Sequence, residues 1–288
     1  AWCYANGAGV GTDYVEANKW FLKSAENGNA RAQWNMGYSY EIGRGVNKDY
    51  TESAKWYLKS AEQGYAAAQC NMGYYYEKGL GVAQDMAQMF KWYTKGAENG
   101  DKVAQNNLAL CYENGKGTEK NLPESVKWYR KSAEQNYAIA QSNLGTCYKY
   151  GTGVEKNLNE AAKWYRKAAE QGHVSAQNSL GICYEYGQGV PQNYDEMIKW
   201  YTKAADQGDQ YAQSNLGLCY ENGKGVLTGI TNISLIKSYE DVNGSMIPCD
   251  GKLLYRGYNI EDIVKGFVDN KRLGYEEIAY LLLFGKLP

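Results

Sequence analysis

Histidine is almost missing from this 288-residue chain, which contains only His173. This excludes any mechanism that needs two imidazoles, and it also excludes a histidine-rich metal site. An excess of charge is also missing, since 31 basic residues face 32 acidic ones. Nucleic-acid binding requires a basic face, so we expect no nucleic-acid partner. No apolar run approaches the roughly 20 residues of a membrane span, and no Cys-x-x-Cys pair occurs. We predict no membrane span, cofactor or metal.

The sequence repeats every 36 residues without an insertion. The period carries tryptophans, tyrosines, paired glycines and an Ala-Gln dipeptide, and it fills residues 1 to about 226. The tryptophans in register are Trp20, Trp56, Trp92, Trp128, Trp164 and Trp200.

Each repeat predicts two helices. In the unit 138–172, residues 140, 144, 145 and 148 form one apolar stripe at helical spacing, and residues 161, 164, 165, 168 and 169 form another. Gly151-Thr-Gly153 breaks the chain between them. A single hairpin cannot bury its own apolar faces, whereas stacked hairpins can. We therefore predict an all-α, right-handed α-solenoid of about six helical hairpins.

These motifs resemble the Sel-one-like repeat family, which is related to tetratricopeptide repeats. The resemblance rests on Ala-Gln-x-Asn-Leu-Gly-x-Cys-Tyr, the Gly-x-Gly-Val turn, and Ala-Ala-Lys-Trp-Tyr-Arg-Lys-Ala-Ala-Glu-Gln-Gly, in register over six copies. Departures are Ala109 for the helix glycine, Asn136 for the terminal glycine and Gly96 for a second-helix alanine. The resemblance implies a protein-binding scaffold without catalysis.

The repeat pattern stops after Val226, before the second helix of its last unit. Residues 227–288 predict a short, incomplete α+β segment with a hairpin at Asn243-Gly244, a strand at 252–255 and a helix at 276–284. The Tyr-Arg-Gly-Tyr258 and Leu-Leu-x-Gly-x-Leu-Pro288 motifs resemble the amino-terminal region of citrate synthases. In that family acetyl-CoA and oxaloacetate condense at two histidines and an aspartate downstream of this region. The chain as given lacks those positions, so we predict no catalytic residue.

The junction at 226/227 has two interpretations, a natural fusion or an accidental joining of two genes. We favour the accidental joining, because the break leaves the first helix of the last repeat without the second helix of its hairpin. Natural arrays usually end on a capping helix. The alternative function is therefore a fragment of a citrate-synthase-type acyltransferase fused to a repeat adaptor.

Most cysteines follow the period and favour a structural role. Cys3, Cys111, Cys147, Cys183 and Cys219 each lie one residue before the repeat tyrosine. Packed helices lie about 8–10 Å apart, too far for disulfides between neighbouring repeats. We expect small, half-buried apolar side chains and a cytoplasmic protein. The chain begins at Ala1 in mid-repeat, so a signal peptide ahead of it stays an open alternative. His173 follows a helix-ending glycine and is expected to be an exposed loop residue.

The candidate partner site lies on the first helices, which usually line the concave face of such solenoids. A recurrent asparagine could bind the backbone of an extended peptide there, or it could tie neighbouring repeats together, and both interpretations stay open. Variable aromatic residues beside it would anchor a partner. The candidate residues are Asn35, Asn71, Asn107, Asn143, Asn215, Trp34, Tyr38, Tyr150 and Tyr186. The predicted function is a scaffold that binds a protein or peptide partner of unknown identity.

Overall fold

The computed structural model describes residues 2–6, 11–221, 233–242, 245–255 and 258–259. The chain divides into two units, Ala1–His173 and Val174–Pro288. In the first unit a short α1 precedes α2, and four complete hairpins follow. The helices are α1 Trp2–Asn6, α2 Tyr14–Glu26, α3 Ala30–Ile42, α4 Tyr50–Glu62, α5 Ala66–Lys78, α6 Met86–Glu98, α7 Lys102–Asn114, α8 Leu122–Glu134, α9 Ala138–Tyr150 and α10 Leu158–Glu170.

Side-chain caps fix where the second helix of each hairpin begins. Asp49 Oδ1 accepts hydrogen bonds from the backbone N–H groups of Thr51 and Glu52 at the start of α4. Asp85 does the same for α6, and Asn121 and Asn157 each accept one such bond for α8 and α10. These bonds satisfy amide donors that a helix start leaves unpaired.

In three of the four hairpins of the first unit, a tyrosine ring on the second helix packs against a glycine on the first, and α7 carries Ala109 in that place. Tyr57 is fully buried, and a Cβ built on Gly37 would lie 2.5 Å from Tyr57 Cδ1. A larger residue at position 37 would therefore displace the ring. Both stripes predicted for the unit 138–172 are buried, which confirms the helical periodicity.

The Gly-x-Gly turns connect the two helices of a hairpin, as predicted. Gly43 and Gly45 both have positive φ, of 72° and 68°, which favours glycine. A Cβ on Gly45 would also lie 2.5 Å from the carbonyl oxygen of Tyr14. The turn therefore lies against the preceding repeat and needs glycine for two independent reasons.

The recurrent Ala-Gln dipeptide ties neighbouring repeats together. Gln33 Nε2 donates to the Ala25 carbonyl (3.0 Å), near the end of the preceding second helix. Its Oε1 accepts from Gln63 Nε2 (2.6 Å), after the second helix of its own repeat. The same two links recur at Gln69, Gln105 and Gln141. One buried amide therefore joins three helices, and its polar atoms are satisfied.

The second unit contains α11 Val174–Tyr186, α12 Tyr194–Asp206, α13 Gln210–Glu221, β1 Ile233–Val242, β2 Ser245–Tyr255 and β3 Tyr258–Asn259. The three strands form an antiparallel sheet in the order β1-β2-β3. Val242 pairs with Ser245 across the Asn243-Gly244 position, which confirms the predicted hairpin, and the strand predicted at 252–255 lies within β2.

The predicted α-solenoid of helical hairpins is confirmed in the helical part of the chain. The helix predicted at 276–284 and the domain boundary at 226/227 lie outside the described residues, so the division into 1–226 and 227–288 stays a prediction. Burial of α13 is limited to Ala212 and Cys219. Its glycine, Gly217, has nothing within 4 Å of a built Cβ among the described residues.

Candidate functional site

One stripe of each first helix carries most of the large exposed apolar side chains that the structure describes in the first unit. We name it the first-helix stripe and define it by the positions i, i+4, i+7 and i+11, which share one helix face. Tyr38, Ile42, Tyr74 and Tyr150 of the stripe are 36%, 42%, 40% and 68% exposed. Its residues are Arg31, Asn35, Tyr38 and Ile42 on α3, Ala67, Asn71, Tyr74 and Lys78 on α5, Val103, Asn107, Leu110 and Asn114 on α7, and Ile139, Asn143, Thr146 and Tyr150 on α9.

Two of its asparagines form hydrogen bonds between repeats. Asn71 Oδ1 accepts from the indole nitrogen of the half-buried Trp34 (2.9 Å). Asn143 Nδ2 donates to Asn106 Oδ1 (3.0 Å). These are bonds to side chains of the preceding repeat, whereas the structural interpretation of the sequence expected bonds to the backbone of the next repeat. Each bond leaves further hydrogen-bonding capacity on the asparagine amide.

The recurrent asparagines Asn35 and Asn107 lack such a bond. Asn35 Nδ2 donates to the Arg31 carbonyl in its own helix (2.9 Å). Asn107 faces a repeat in which Cys70 occupies the position of Trp34. Its Oδ1 accepts a long bond from Asn106 (3.4 Å), and its Nδ2 donates no bond within the described residues. Asn107 therefore has the least engaged amide of the row.

The cations at the stripe differ from those on the second helices. Five second-helix lysines pair with a glutamate three residues earlier, and Lys55 with Glu52 is an example (2.5 Å). Within the described part of the chain, Arg31 and Arg44 form no such ion pair. Lys78 Nζ lies 3.9 Å from Glu77 Oε1. Arg31 on the stripe and Arg44 beside it therefore have no acidic partner among the described residues, whereas Lys78 has a long ion pair with Glu77.

A cavity of about 450 Å³ opens at the first repeat, between α1, α2 and α3. Arg31, Asn35, Tyr38 and Arg44 contribute to its lining, which contains no aspartate or glutamate. The Arg44 guanidinium lies over the Tyr38 ring, 5.5 Å from its centroid. Trp34 stacks on the same tyrosine with a centroid distance of 5.9 Å. Arg44, Tyr38 and Trp34 are therefore positioned by contacts with one another.

The second unit carries an equivalent stripe on α11 and α13. The predicted anchor Tyr186 is 62% exposed, and Tyr211 and Leu218 are 77% and 52% exposed. Asn215 Nδ2 donates to Asn178 Oδ1 (3.0 Å), which is the same inter-repeat bond as in the first unit.

The described cysteines and the histidine lie in environments that differ from that of a reactive group. Cys111 and Cys147 are buried and free, and burial raises the pKa of each thiol to about 12. His173 lies in the turn after α10. It was predicted to be exposed but is half-buried, and this burial lowers its pKa. The described residues contain no cluster that could hold a metal ion. Among the described helices, none is long and apolar enough to cross a membrane.

The comparison with protein-family models decides the classification. The Sel1 repeat model matches residues 1–29, 30–65, 66–101, 102–137, 138–173 and 174–209. The chain belongs to the Sel1 repeat family. It is thus a helical repeat scaffold, and the Sel1 register places the first-helix stripe at the same positions of successive repeats. No curated protein matches the chain.

Solved structures of Sel1 repeat proteins agree with this classification. The chain is 36% identical to a Sel1 repeat protein from Oxalobacter formigenes, with a TM-score of 0.68 over 74% of this chain and 85% of that one. It is 37% identical to c5321, described as a protective antigen of uropathogenic Escherichia coli, with a TM-score of 0.57 over 77% of this chain. That match spans about half, 55%, of the c5321 chain.

A second family model matches residues 219–288 of this Sel1 repeat chain and is described as citrate synthase, C-terminal domain. The family agrees with the resemblance seen in the sequence. The sequence motifs had suggested the amino-terminal region of these enzymes, whereas the matching model carries the description C-terminal domain.

Sequence reasoning missed Arg31, Arg44 and Tyr74 as candidate site residues. A sequence signal for Arg31 existed. Lys55 has the acidic residue Glu52 three positions before it, whereas Arg31 has the uncharged Gly28 at the same spacing. Arg44 lies in the turn after α3, so only the folded chain shows its guanidinium over Tyr38.

Proposed function

We propose that the array binds a partner protein by holding an extended segment along the first-helix stripe. One observation carries this proposal. Tyrosines of the second helices such as Tyr57 are buried, whereas the stripe leaves Tyr38, Tyr74 and Tyr150 at least one-third exposed, in three of its four repeats. Exposed tyrosines supply rigid contact area at a low cost in conformational entropy and are frequent binding anchors.

The asparagines have two roles in this proposal. Asn71 and Asn143 support the stacking of repeats through their bonds to Trp34 and Asn106. Asn107 offers its amide N–H groups to the backbone carbonyls of the bound segment, because no described residue accepts a bond from them. The recurrent asparagine is therefore structural in some repeats and available for binding in others.

The test is to select binding peptides from a random linear library with the whole chain as bait. The affinity of the selected peptides is then measured with variants of the chain. We expect Tyr74→Ala to weaken binding by about tenfold, the loss typical of an interface anchor. The matched control is Tyr194→Ala on α12, where the tyrosine is 37% exposed against 40% for Tyr74. Equal losses in both variants would contradict the proposal.

The match at residues 219–288 supports a second candidate, in which these residues are part of a citrate-synthase-type acyltransferase carrying a repeat adaptor. The test is a long read of the source DNA across codons 220 to 230 and past codon 288. One continuous frame into a complete citrate synthase would support this candidate, and two separate loci would exclude it.

We also propose that the protein works in a reducing compartment such as the cytoplasm. The support is that Cys70, Cys111 and Cys147 form no disulfide with a described residue. Determining the compartment by fractionation of the source organism tests this, and recovery in an oxidising compartment would contradict it.

A further inference from the structure

We infer that the segment bound by the first-helix stripe is acidic, with a carboxylate held between Arg31 and Arg44 and a second one at Lys78. This inference rests on the proposed function and specifies the chemistry of its partner. The argument begins with composition, because no stripe position from Arg31 to Tyr150 is an aspartate or glutamate. The charges on the stripe are therefore all positive, although the chain as a whole has a formal charge of −1.

The surroundings of Arg31 and Arg44 point to an anion from outside the array, and Lys78 shares its partner Glu77 with Lys116, whose Nζ lies 3.7 Å from the same Oε1 atom. On the second helices, Lys55 and its equivalents already have glutamate partners in their own helix. Arg31 and Arg44 line one cavity without an acidic residue and form no ion pair within the described residues. Arginine presents a planar fork that binds carboxylates through two parallel hydrogen bonds. A carboxylate in this cavity would supply the missing counter-charge.

A tyrosine accompanies each of the two cationic positions. Arg44 lies over Tyr38, and Lys78 Nζ lies 5.9 Å from the centroid of the Tyr74 ring. Both rings are more than one-third exposed, so a bound carboxylate would meet a cation beside an exposed aromatic surface. Charge complementarity of this kind selects the partner and speeds its association.

The spacing of the repeats predicts the spacing of the carboxylates. α3 and α5 occupy equivalent places in adjacent repeats, and the first helices α5 and α7 contact each other directly. Contacting helices lie about 8–10 Å apart. Arg31 lies at the start of α3 and Lys78 at the end of α5, so the midpoint between Arg31 and Arg44 lies about 7 Å along the helix axis from the level of Lys78, at about 1.5 Å per residue. The two offsets combine to about 11 Å, and an extended chain advances about 3.3 Å per residue. The two acidic residues should therefore be about three positions apart in the partner.

The experiment uses the peptides selected from the random library with the whole chain. We expect enrichment of aspartate and glutamate at two positions about three residues apart. Fluorescence anisotropy then compares labelled peptides of equal composition. Peptides whose two acidic residues have this spacing should bind more tightly than peptides whose acidic residues are adjacent. Raising the salt from about 0.1 M to 1 M shortens the Debye length from about 10 Å to 3 Å and should weaken binding.

Charge variants of the chain give the matched comparison. Arg31→Gln and Lys78→Gln should each weaken binding of the acidic peptide by about fivefold, the upper range for a surface ion pair. The control is Lys91→Gln, since Lys91 is exposed on α6 and has Gln88 in place of the pairing glutamate. This control should leave the affinity within about twofold.

The outcomes separate this inference from the proposed function. Selected peptides that lack acidic residues but lose affinity with Tyr74→Ala would overturn the acidic partner and retain the binding stripe. Acidic peptides that respond equally to Lys91→Gln and Lys78→Gln would also overturn it. Peptides unaffected by Tyr74→Ala, or a failure to select any peptide, would contradict both.

Discussion

The Tyr57 hydroxyl on α4 donates a 2.5 Å hydrogen bond to the Glu41 carboxylate on α3, across the interior of one hairpin. The same pair recurs as Tyr93–Glu77, Tyr129–Glu113 and Tyr201–Glu185. In the repeat 138–173 the glutamate is replaced by Lys149, and the Tyr165 hydroxyl bonds instead to Thr146 Oγ1 (3.0 Å). The hairpins are thus closed by a buried phenol with a polar partner.

This arrangement predicts unfolding at alkaline pH. Burial, together with the glutamate partner, raises the pKa of Tyr57, Tyr93, Tyr129 and Tyr201. Tyrosines in the unfolded chain ionise near pH 10, whereas these four stay protonated while folded. Above about pH 10 the folded state therefore binds more protons than the unfolded state. The stability that these tyrosines contribute is complete below that pH and is lost as the pH rises above it. Each tyrosine should lower the free energy of unfolding by about 1.4 kcal/mol per pH unit.

Tyrosinate absorbance and circular dichroism, followed together during an alkaline titration, measure this effect. Helix loss and ionisation of the buried tyrosines should coincide, and Tyr129→Phe should make the decline in stability less steep. Ionisation of all tyrosines near pH 10 with the helices intact would contradict the account.

Asn143→Ala and Asn107→Ala should separate the structural from the binding asparagines. Loss of the bond to Asn106 in Asn143→Ala should cost about 1 kcal/mol, or about 2–4 °C in Tm. Asn107→Ala should change the Tm less, because its amide donates no bond to a described residue, and should weaken the selected peptides more. Thermal denaturation and peptide titration of both variants measure these differences. Equal effects of the two changes on both readouts would contradict the assignment of roles.

Gly181→Ala and Gly217→Ala should change stability in opposite directions. A Cβ on Gly181 would lie 2.5 Å from Tyr201 Cδ1, so overpacking should cost about 1–3 kcal/mol. Gly217 occupies the same place in α13, with nothing within 4 Å among the described residues. Alanine there should stabilise the helix by about 0.5–1 kcal/mol. Chemical denaturation measures both changes, and destabilisation by Gly217→Ala would show that a side chain packs on this glycine.

The helices and their packed faces were predictable because the period repeats one physical solution six times. The stripes at 140–148 and 161–169 follow from helical spacing alone, and the Gly-x-Gly turns follow from the preference of glycine for positive φ. The reason for the helix glycine was not predictable, since the ring that covers Gly37 comes from Tyr57, 20 residues later.

The polar connections between repeats were only partly predictable. The period shows that Gln33 and Asn71 recur but not which atoms they reach, because their partners lie 30 and 37 residues away in the chain. The cavity at Arg31 and Arg44 was missed for the same reason, since a turn residue and a helix residue meet there only in the folded chain.

Photo-crosslinking of a selected peptide to the intact chain tests the central claim most directly. A photoreactive residue is placed at position 74 on α5 or, as the matched control, at position 91 on α6. The account predicts strong crosslinking at 74, competed by unlabelled peptide, and background crosslinking at 91. Competed crosslinking at 91 with none at 74 would show that the partner binds the second helices and would contradict it.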